Sequence, residues 1–219
     1  MIAGKYDLHI HSCLSPCADD DMTPGNIAGM GKLIGLDVMA ITDHNSTKNC
    51  PAFFEFAKQF DIKAYGGMEL TTAEDIHVIC LFESLNDTMA FGDLVDDHRI
   101  KIPNRPDIFG NQLIVNNDDK IVGTEEHLLI NATDIAINEV ADLVKSCGGF
   151  CYPAHIDKQS NSIIATLGVF PKDCGFTAFE IYNKSKLDEY IEKYALQGFD
   201  CYISSDSHTL NQLASQFEQ

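Results

Sequence analysis

Nothing in this chain reads as a membrane span. No run approaches the roughly 18 consecutive apolar residues that a spanning helix needs, and the N-terminus enters Lys5-Tyr6-Asp7 without the apolar core of a secretory signal. These absences predict a cytoplasmic protein with no membrane partner. Basic residues are scarce as well: 15 Lys and Arg stand against 33 Asp and Glu, a formal charge of −18. Nucleic-acid phosphates are bound chiefly by Lys and Arg, so this balance argues against long nucleic acid and for a small substrate. The chain also lacks repeats, low-complexity tracts and linkers. Its 219 residues suffice for one well-cored domain and fall short of two, so 1–219 reads as a single domain. Hydrophobic residues make up 45%, an ordinary globular share that argues against disorder.

Eight cysteines are present, but without a signal peptide they do not predict a disulfide framework. Cys80, Cys151 and Cys201 lie in apolar runs, where a free thiol behaves as a small hydrophobe. Cys13 and Cys17, four apart, are candidate zinc ligands, although no second thiol pair is near them to complete a four-thiolate site.

Short apolar runs alternate with amphipathic stretches. Strands are predicted at 6–10, 37–42, 62–68, 76–82, 149–154, 176–182 and 200–205, each rich in Ile, Val, Phe, Tyr or Leu. Helices are predicted from Thr23-Pro24 to Leu33 and over 51–60, 87–97, 134–147 and 186–196, the fourth ended by Gly148-Gly149. Seven strands with helices between them predict an α/β fold of parallel βα units, as an open sheet or a small barrel. Residues 99–132 interrupt the rhythm with Pro103, Pro106 and a hairpin turn at Asn116–Asp119, between Leu113–Val115 and Ile121–Val122. They read as an insertion after the fourth strand, a lid or an interface.

Six of the eight histidines fall in or beside strands. His9 and His11 are two apart on the first, so both imidazoles face one side, with Leu8 and Ile10 on the other. His44, Glu69, His155, Asp206 and His208 follow strand ends, and His77 begins a strand. In βα folds the strand ends converge on one face, where active sites are built. Singly, each residue has an ordinary explanation as a hydrogen-bonded or turn residue. Jointly, mixed imidazole and carboxylate donors without a thiolate pattern suit Zn, Mn or Fe. Eight such donors, and a ninth named below, are too many for one tetrahedral ion and suit two or three, and paired ions about 4 Å apart are a recurring device for hydrolysing phosphate esters. Three bound dications would offset six of the negative charges locally. His98 and His127 lie outside the pattern and read as surface residues.

The segments Asp7-Leu-His9-Ile-His11-Ser12, Thr42-Asp43-His44-Asn45, Gly67-Met-Glu69, Ile76-His77-Val78, Pro153-Ala-His155-Ile156-Asp157 and Ser205-Asp206-Ser-His208 resemble the PHP (polymerase and histidinol phosphatase) family, in the family's order and across the chain from residue 7 to 208. The resemblance implies a distorted (β/α)7 barrel with a trinuclear metal site. By analogy His9, His11, Glu69 and Asp206 hold one ion, and Glu69, His77 and His155 a second, Glu69 bridging. His44, His208 and an early aspartate hold the third. Family members place that aspartate directly after the second serine of the His-x-His-Ser-x-x-Ser segment. Here Pro16 and Cys17 follow Ser15, and then Asp19, Asp20 and Asp21. Asp19 matches the family's spacing to the next helix and is the expected ligand, with Asp20 and Cys17 as alternatives.

The expected chemistry is hydrolysis of a small phosphate mono- or diester, of a sugar, amino alcohol or nucleotide. A hydroxide bridging two ions attacks phosphorus in line and Asp206 accepts its proton, while Asp43 orients a metal-bound imidazole. Phosphate recognition calls for Lys or Arg, and Lys158 is the best-placed candidate, with Arg99 and Arg105 available if 99–132 closes over the site. Two other classes stay open. Amidohydrolases also use His/Asp metal barrels, though no lysine stands in the context that carboxylation needs. A catalytically idle metal-binding domain would not need so complete a ligand set.

Overall fold

The structure, a computed structural model, describes residues 2–215. Its elements are β1 (Tyr6–Asp7), α1 (Pro24–Leu33), β2 (Val38–Ile41), α2 (Cys50–Gln59), β3 (Lys63–Thr71), β4 (His77–Phe82), α3 (Leu85–His98), α4 (Pro106–Phe109), β5 (Leu113–Val115), β6 (Ile121–Thr124), α5 (Ile137–Ser146), β7 (Phe150–Pro153), α6 (Ile163–Leu167), β8 (Ala178–Glu180), a 3-10 turn (Lys184–Lys186), α7 (Leu187–Lys193), β9 (Asp200–Tyr202) and α8 (Leu210–Ser215). Local chemistry sets the ends. The Thr23 hydroxyl accepts from Asn26 N–H and Pro24 fills the first turn of α1. Gly148, at φ 80°, follows the last turn of α5.

The fold is α/β, with one curled half-barrel sheet in the order β1-β2-β3-β4-β7 and a separate parallel pair, β8 and β9. One sequence expectation fails here. The units are not all parallel, because β4 runs antiparallel to both β3 and β7. Only Thr72–Ile76 connect β3 to β4, closed by Thr72 N–H donating to Ile76 O at 2.9 Å with Asp75 at φ 59°. A parallel crossover needs a dozen or more residues. The ladder of β1 also stops at Asp7, so His9 and His11 lie in extended chain beyond the strand. Leu8 and Ile10 do not share one face either: Leu8 enters the central cluster and Ile10 packs with α1 and α2.

Alternation along the strands separates the core into layers. In β4, Val78, Cys80 and Phe82 pack against Phe91 and Val95 of α3 and Val140 and Val144 of α5. Ile79 and Leu81 turn the other way, into a central cluster with Leu8, Val38, Ala40, Tyr65, Tyr152, Ala178 and Tyr202. His77, two before Ile79, therefore faces the centre. Because β4 is reversed, its first residue lies level with the last residues of its neighbours, opposite Thr71 at the end of β3. Beyond the ladders, isolated parallel bridges join Ile10 to Ser207 and His44 to Glu69.

Residues 99–132 hold α4 and the β5–β6 hairpin, whose turn includes Asp119 at φ 58°. They pack on the loop that follows His11. Leu113 N–H donates to Cys13 O at 2.7 Å, the Asn49 amide takes both Leu113 O and Val115 N–H, and Gly110 abuts Pro16 so closely that a Cβ would lie 2.1 Å from its carbonyl oxygen.

Candidate metal centre

At the end of the sheet where β2, β3 and β7 finish and β4 begins, six imidazoles surround two buried carboxylates. His9 and His11 are fully buried. The Nδ1 of His9 lies 3.0 Å from Glu180 Oε1, and that of His11 lies 3.0 Å from Ser15 Oγ. If each outward nitrogen carries the proton, as the carboxylate requires of His9, the Nε2 lone pairs point inward. These nitrogens are 3.2 Å apart. Asp206 Oδ1 is 3.2 Å from the first and 3.3 Å from the second, while Glu69 reaches His9 with Oε1 and His11 with Oε2, each at 3.3 Å. Ligands at about 2.0–2.1 Å from a tetrahedral ion are separated from one another by about 3.3–3.4 Å. The four side chains thus converge, lone pairs inward, at the spacing of a metal cage.

Glu69 also serves the neighbouring imidazoles. His77 Nδ1 and His155 Nε2 lie 2.7 Å and 2.9 Å from its Oε1, and His44 Nδ1 lies 3.1 Å from its Oε2. A further cluster brings His11, Cys17, His44 and His208 together, one donor atom of each within 4.8 Å of the rest. Burial and charge pull these groups in opposite directions. Burial disfavours charge on His11, yet hydrogen bonds to Asp206 and Glu69 lift it to about 9. Burial, then the charge of His11, pushes its stacked neighbour His208 down to about 4. Burial likewise drives His44 well below the usual imidazole range. Burial opposes ionisation of Glu69, but the surrounding imidazoles, His77 foremost, hold its carboxyl well below the ordinary range. Fixed cations among the donors would relieve this opposition.

Supporting groups surround the cage. Asp43 accepts from Ser12 N–H and Oγ–H and from Ser15 Oγ–H at 2.6–2.8 Å, so it touches His11 through Ser15 rather than directly. Glu180, which the sequence reading missed, takes His9 Nδ1 and His155 N–H. Its signal was present: an acidic residue inside the apolar run of β8, two after the inward-facing Ala178. Asp7 lies beneath, with its carboxyl raised by burial to about 6. His155 and Asp206 adopt positive φ, 28° and 51°, a strain that fixes backbone at functional sites.

Asp19 does not join the donors. It is exposed and its N–H donates to His208 O, while Asp20 takes the Asn111 amide; at this place in the site stands the Cys17 sulfur. Lys158 donates to Asp206 Oδ2 and lines the adjoining cavity of about 450 Å³ with Cys17, His44, His77, His155 and His208. Of 99–132, only Ile130 is among that cavity's lining residues. Arg99 does not face it, because its guanidinium is buried against Asp96, Glu125 and His127 O, and Arg105 pairs with Asp107 on the surface. His98 pairs with Asp134, and His127 lies near Glu125, both apart from the centre.

A model of the PHP domain matches residues 7–162, well over half of the chain. The chain belongs to the PHP domain family. An uncharacterized protein of Methanocaldococcus jannaschii is 34% identical over 86 residues, 36% of this chain and 50% of that one. The fold is similar to that of the lesion-specific endonuclease Q of Pyrococcus furiosus (TM-score 0.63, 18% identity, 97% of this chain and 50% of that chain). It is similar too to a Bifidobacterium adolescentis protein provisionally named a metal-dependent phosphoesterase (TM-score 0.63, 15% identity, 94% and 88%). An amidohydrolase of Chromobacterium violaceum, determined with sulfate and no metal, gives a TM-score of 0.62 at 15% identity, over 94% and 88%. The chain spans about half the length of the curated relative and of endonuclease Q. Among the described residues no helix is long and apolar enough to cross a membrane.

Proposed function

We propose that this PHP-family chain hydrolyses the phosphate ester of a small molecule, using two or three divalent ions. The observation that carries the reading is the inward convergence of His9, His11, Glu69 and Asp206 beside a 450 Å³ cavity whose wall holds a lysine. His9, His11, Glu69 and Asp206 would hold one ion, Glu69 with His77 and His155 a second, and His44, His208 and Cys17 a third. Cys17 takes the place expected for Asp19, because its sulfur lies with the imidazoles. The oxygen and nitrogen donors suit Zn, Mn or Fe, and a thiolate favours the softer of these. When bound, the ions would supply water of lowered pKa and neutralise charge on the phosphoryl oxygens. The Ile10–Ser207 bridge and the β8–β9 pair support a seven-unit distorted barrel as the frame.

The chain's own groups do the rest. Asp206 faces His9 and His11 with one oxygen and Lys158 with the other, which places it to accept a proton and return it. Lys158 reaches the cavity wall, where its charge meets a phosphoryl oxygen. Asp43, through Ser15, and Glu180 fix the rings of His11 and His9 so that their inward nitrogens do not rotate away.

A second reading is a diester within a nucleic-acid chain. Endonuclease Q, one of whose structures holds a 27-mer duplex with an abasic lesion at the active site, favours it. The acidic surface argues against it less strongly than the sequence suggested, since bound ions make the site locally positive. The test is release of phosphate or phenol from aryl phosphate mono- and diesters with added Mn²⁺, comparing the unmodified chain with His155→Ala. Metal-stimulated release that the variant loses is expected, and the ester preferred separates the readings. No release from either ester would overturn the phosphoesterase proposal.

A further inference from the structure

The eight cysteines are free thiols, and two of them face each other across the sheet. Cys80 of β4 and Cys151 of β7 are direct partners in the antiparallel ladder. The kind of rung they occupy follows from the hydrogen bonds. Ala154 N–H donates to His77 O at 3.0 Å, and the register that pairs Val78 with Pro153 sets Ala154 opposite His77. That rung is therefore hydrogen-bonded. Rungs alternate along an antiparallel ladder, so Val78–Pro153 is not hydrogen-bonded, Ile79–Tyr152 is, and Cys80–Cys151 again is not. Pro153, with no N–H to give, fits its place. At a non-hydrogen-bonded rung the Cα atoms are about 4.5 Å apart and the side chains make their closest cross-strand approach. A disulfide accepts Cα separations of about 4.4–6.8 Å.

The two thiols also share a face. Ile79, Leu81 and Tyr152 turn to the central cluster, whereas Cys80 and Cys151 both pack on the side of α3 and α5. The Cys80 thiol donates to Val78 O at 3.6 Å, a weak bond within its own strand that a new partner can replace. Cys80 is fully buried and Cys151 half-buried, so an oxidant meets Cys151 first. Burial pushes the Cys151 thiol up to about 12 and lifts Cys80 well above the ordinary range as well. Thiols held protonated react slowly, so the pair stays reduced until an oxidant persists.

We propose that Cys80 and Cys151 are a site of reversible oxidation, which a hydroperoxide converts to a disulfide across the β4–β7 rung. The Cys151 sulfur takes an oxygen from the peroxide; the O–O bond breaks and water or an alcohol leaves. Cys80 then attacks that sulfur. The S–S bond forms, the S–O bond breaks, and the departing hydroxide takes the Cys80 proton as water. Two thiols thus lose two electrons to one peroxide bond. Cys80 lies three residues after His77 and Cys151 four before His155, so the bond ties together the two strands that carry these imidazoles. It also closes a loop of about 70 residues, 99–132 included, a constraint that should raise Tm by about 10 °C.

The test is a time course of the folded chain in hydrogen peroxide with a chelator present, stopped by acid, alkylated in denaturant and digested with trypsin. A linked pair of the peptides 64–99 and 146–158 is expected. The second of these also contains Cys147, so the link should persist in Cys147→Ser and vanish in Cys151→Ser. The oxidised chain should melt about 10 °C higher than the reduced one, a difference that a dithiol reductant abolishes. Cys80 and Cys151 both still open to alkylation after the exposed Cys17 has been oxidised would overturn the proposal. So would a link from Cys151 to Cys147 or Cys201. A Cys80–Cys151 link with no rise in Tm would overturn the fit of the bond to the native rung.

Discussion

The two sides of the metal centre are built differently. On the deep side His9 and His11 are sealed from solvent, and each has its outward nitrogen held, by Glu180 and by Ser15. On the outer side Cys17 is exposed and the His208 side chain is 26% exposed, its Nδ1 resting on Asp206 O at 2.9 Å, while His44 Nδ1 faces Glu69 Oε2 at 3.1 Å. Rings fixed in place lose little freedom when an ion binds, so affinity rises with the number of held ligands. On the proposed ion assignment, the contrast predicts one tightly held ion and one exchangeable one. A graded chelator titration should strip the outer ion first.

The comparison breaks most completely at the residue the two sides share. Glu69→Ala removes the carboxylate that faces His9, His11, His44, His77 and His155. Turnover is expected to fall by about 10³-fold, with metal content reduced on both sides. Retention of full metal would show that Glu69 is not the bridge.

The deep side also carries a pH signature. Burial lifts Asp7 to about 6 in the folded protein, against about 3.9 in an unfolded chain. Between those values the native state holds a proton that the unfolded chain releases, so stability falls as pH rises, by about 3 kcal/mol in total by neutral pH. Asp7→Asn keeps the acceptor used by Ser205 N–H and His9 N–H. In metal-free protein it should flatten unfolding free energy across this range, and an unchanged slope would assign the effect elsewhere.

Glu180→Gln loosens one deep imidazole without touching the outer cluster. Its expected effect is a loss of about 10–100-fold in affinity for the deep ion, read by competition with a chromogenic chelator. The smallest effect is confined to the outer side. Cys17→Ala should lose one equivalent of metal and, in the cobalt-substituted protein, the thiolate-to-metal charge-transfer band. Asp19→Ala should lose neither, and the reverse outcome would restore Asp19 as the ligand.

Much of this was legible in the sequence. The start of α1 follows from Thr23 and Pro24 alone, and the histidines and acids at strand ends marked the centre because βα strands end together. Other features depend on relations that residue type does not carry. The reversal of β4 was readable only from the brevity of 72–76, since its apolar content suits either direction. Glu180 escaped because a lone acid in a strand looks like any surface carboxylate until its facing is known. Cys17 and Asp19 differ by two positions, and the turn between Ser15 and Met22 decides which side chain faces the imidazoles.

The reversed strand has a further consequence. Because β4 runs away from the metals, α3 must bring the chain back, and its 14 residues span about 21 Å, close to the length of β4 itself. It delivers Arg99, which bridges to Thr133. The 99–132 segment therefore leaves and re-enters through one doorway beside the centre. Loop closure entropy grows only slowly with length when the ends already meet. Segments of other lengths can be exchanged at this doorway without reshaping the frame beneath. Since Gly110 presses on Pro16, next to Cys17, each exchange would retune the outer ion and leave the deep one as it was.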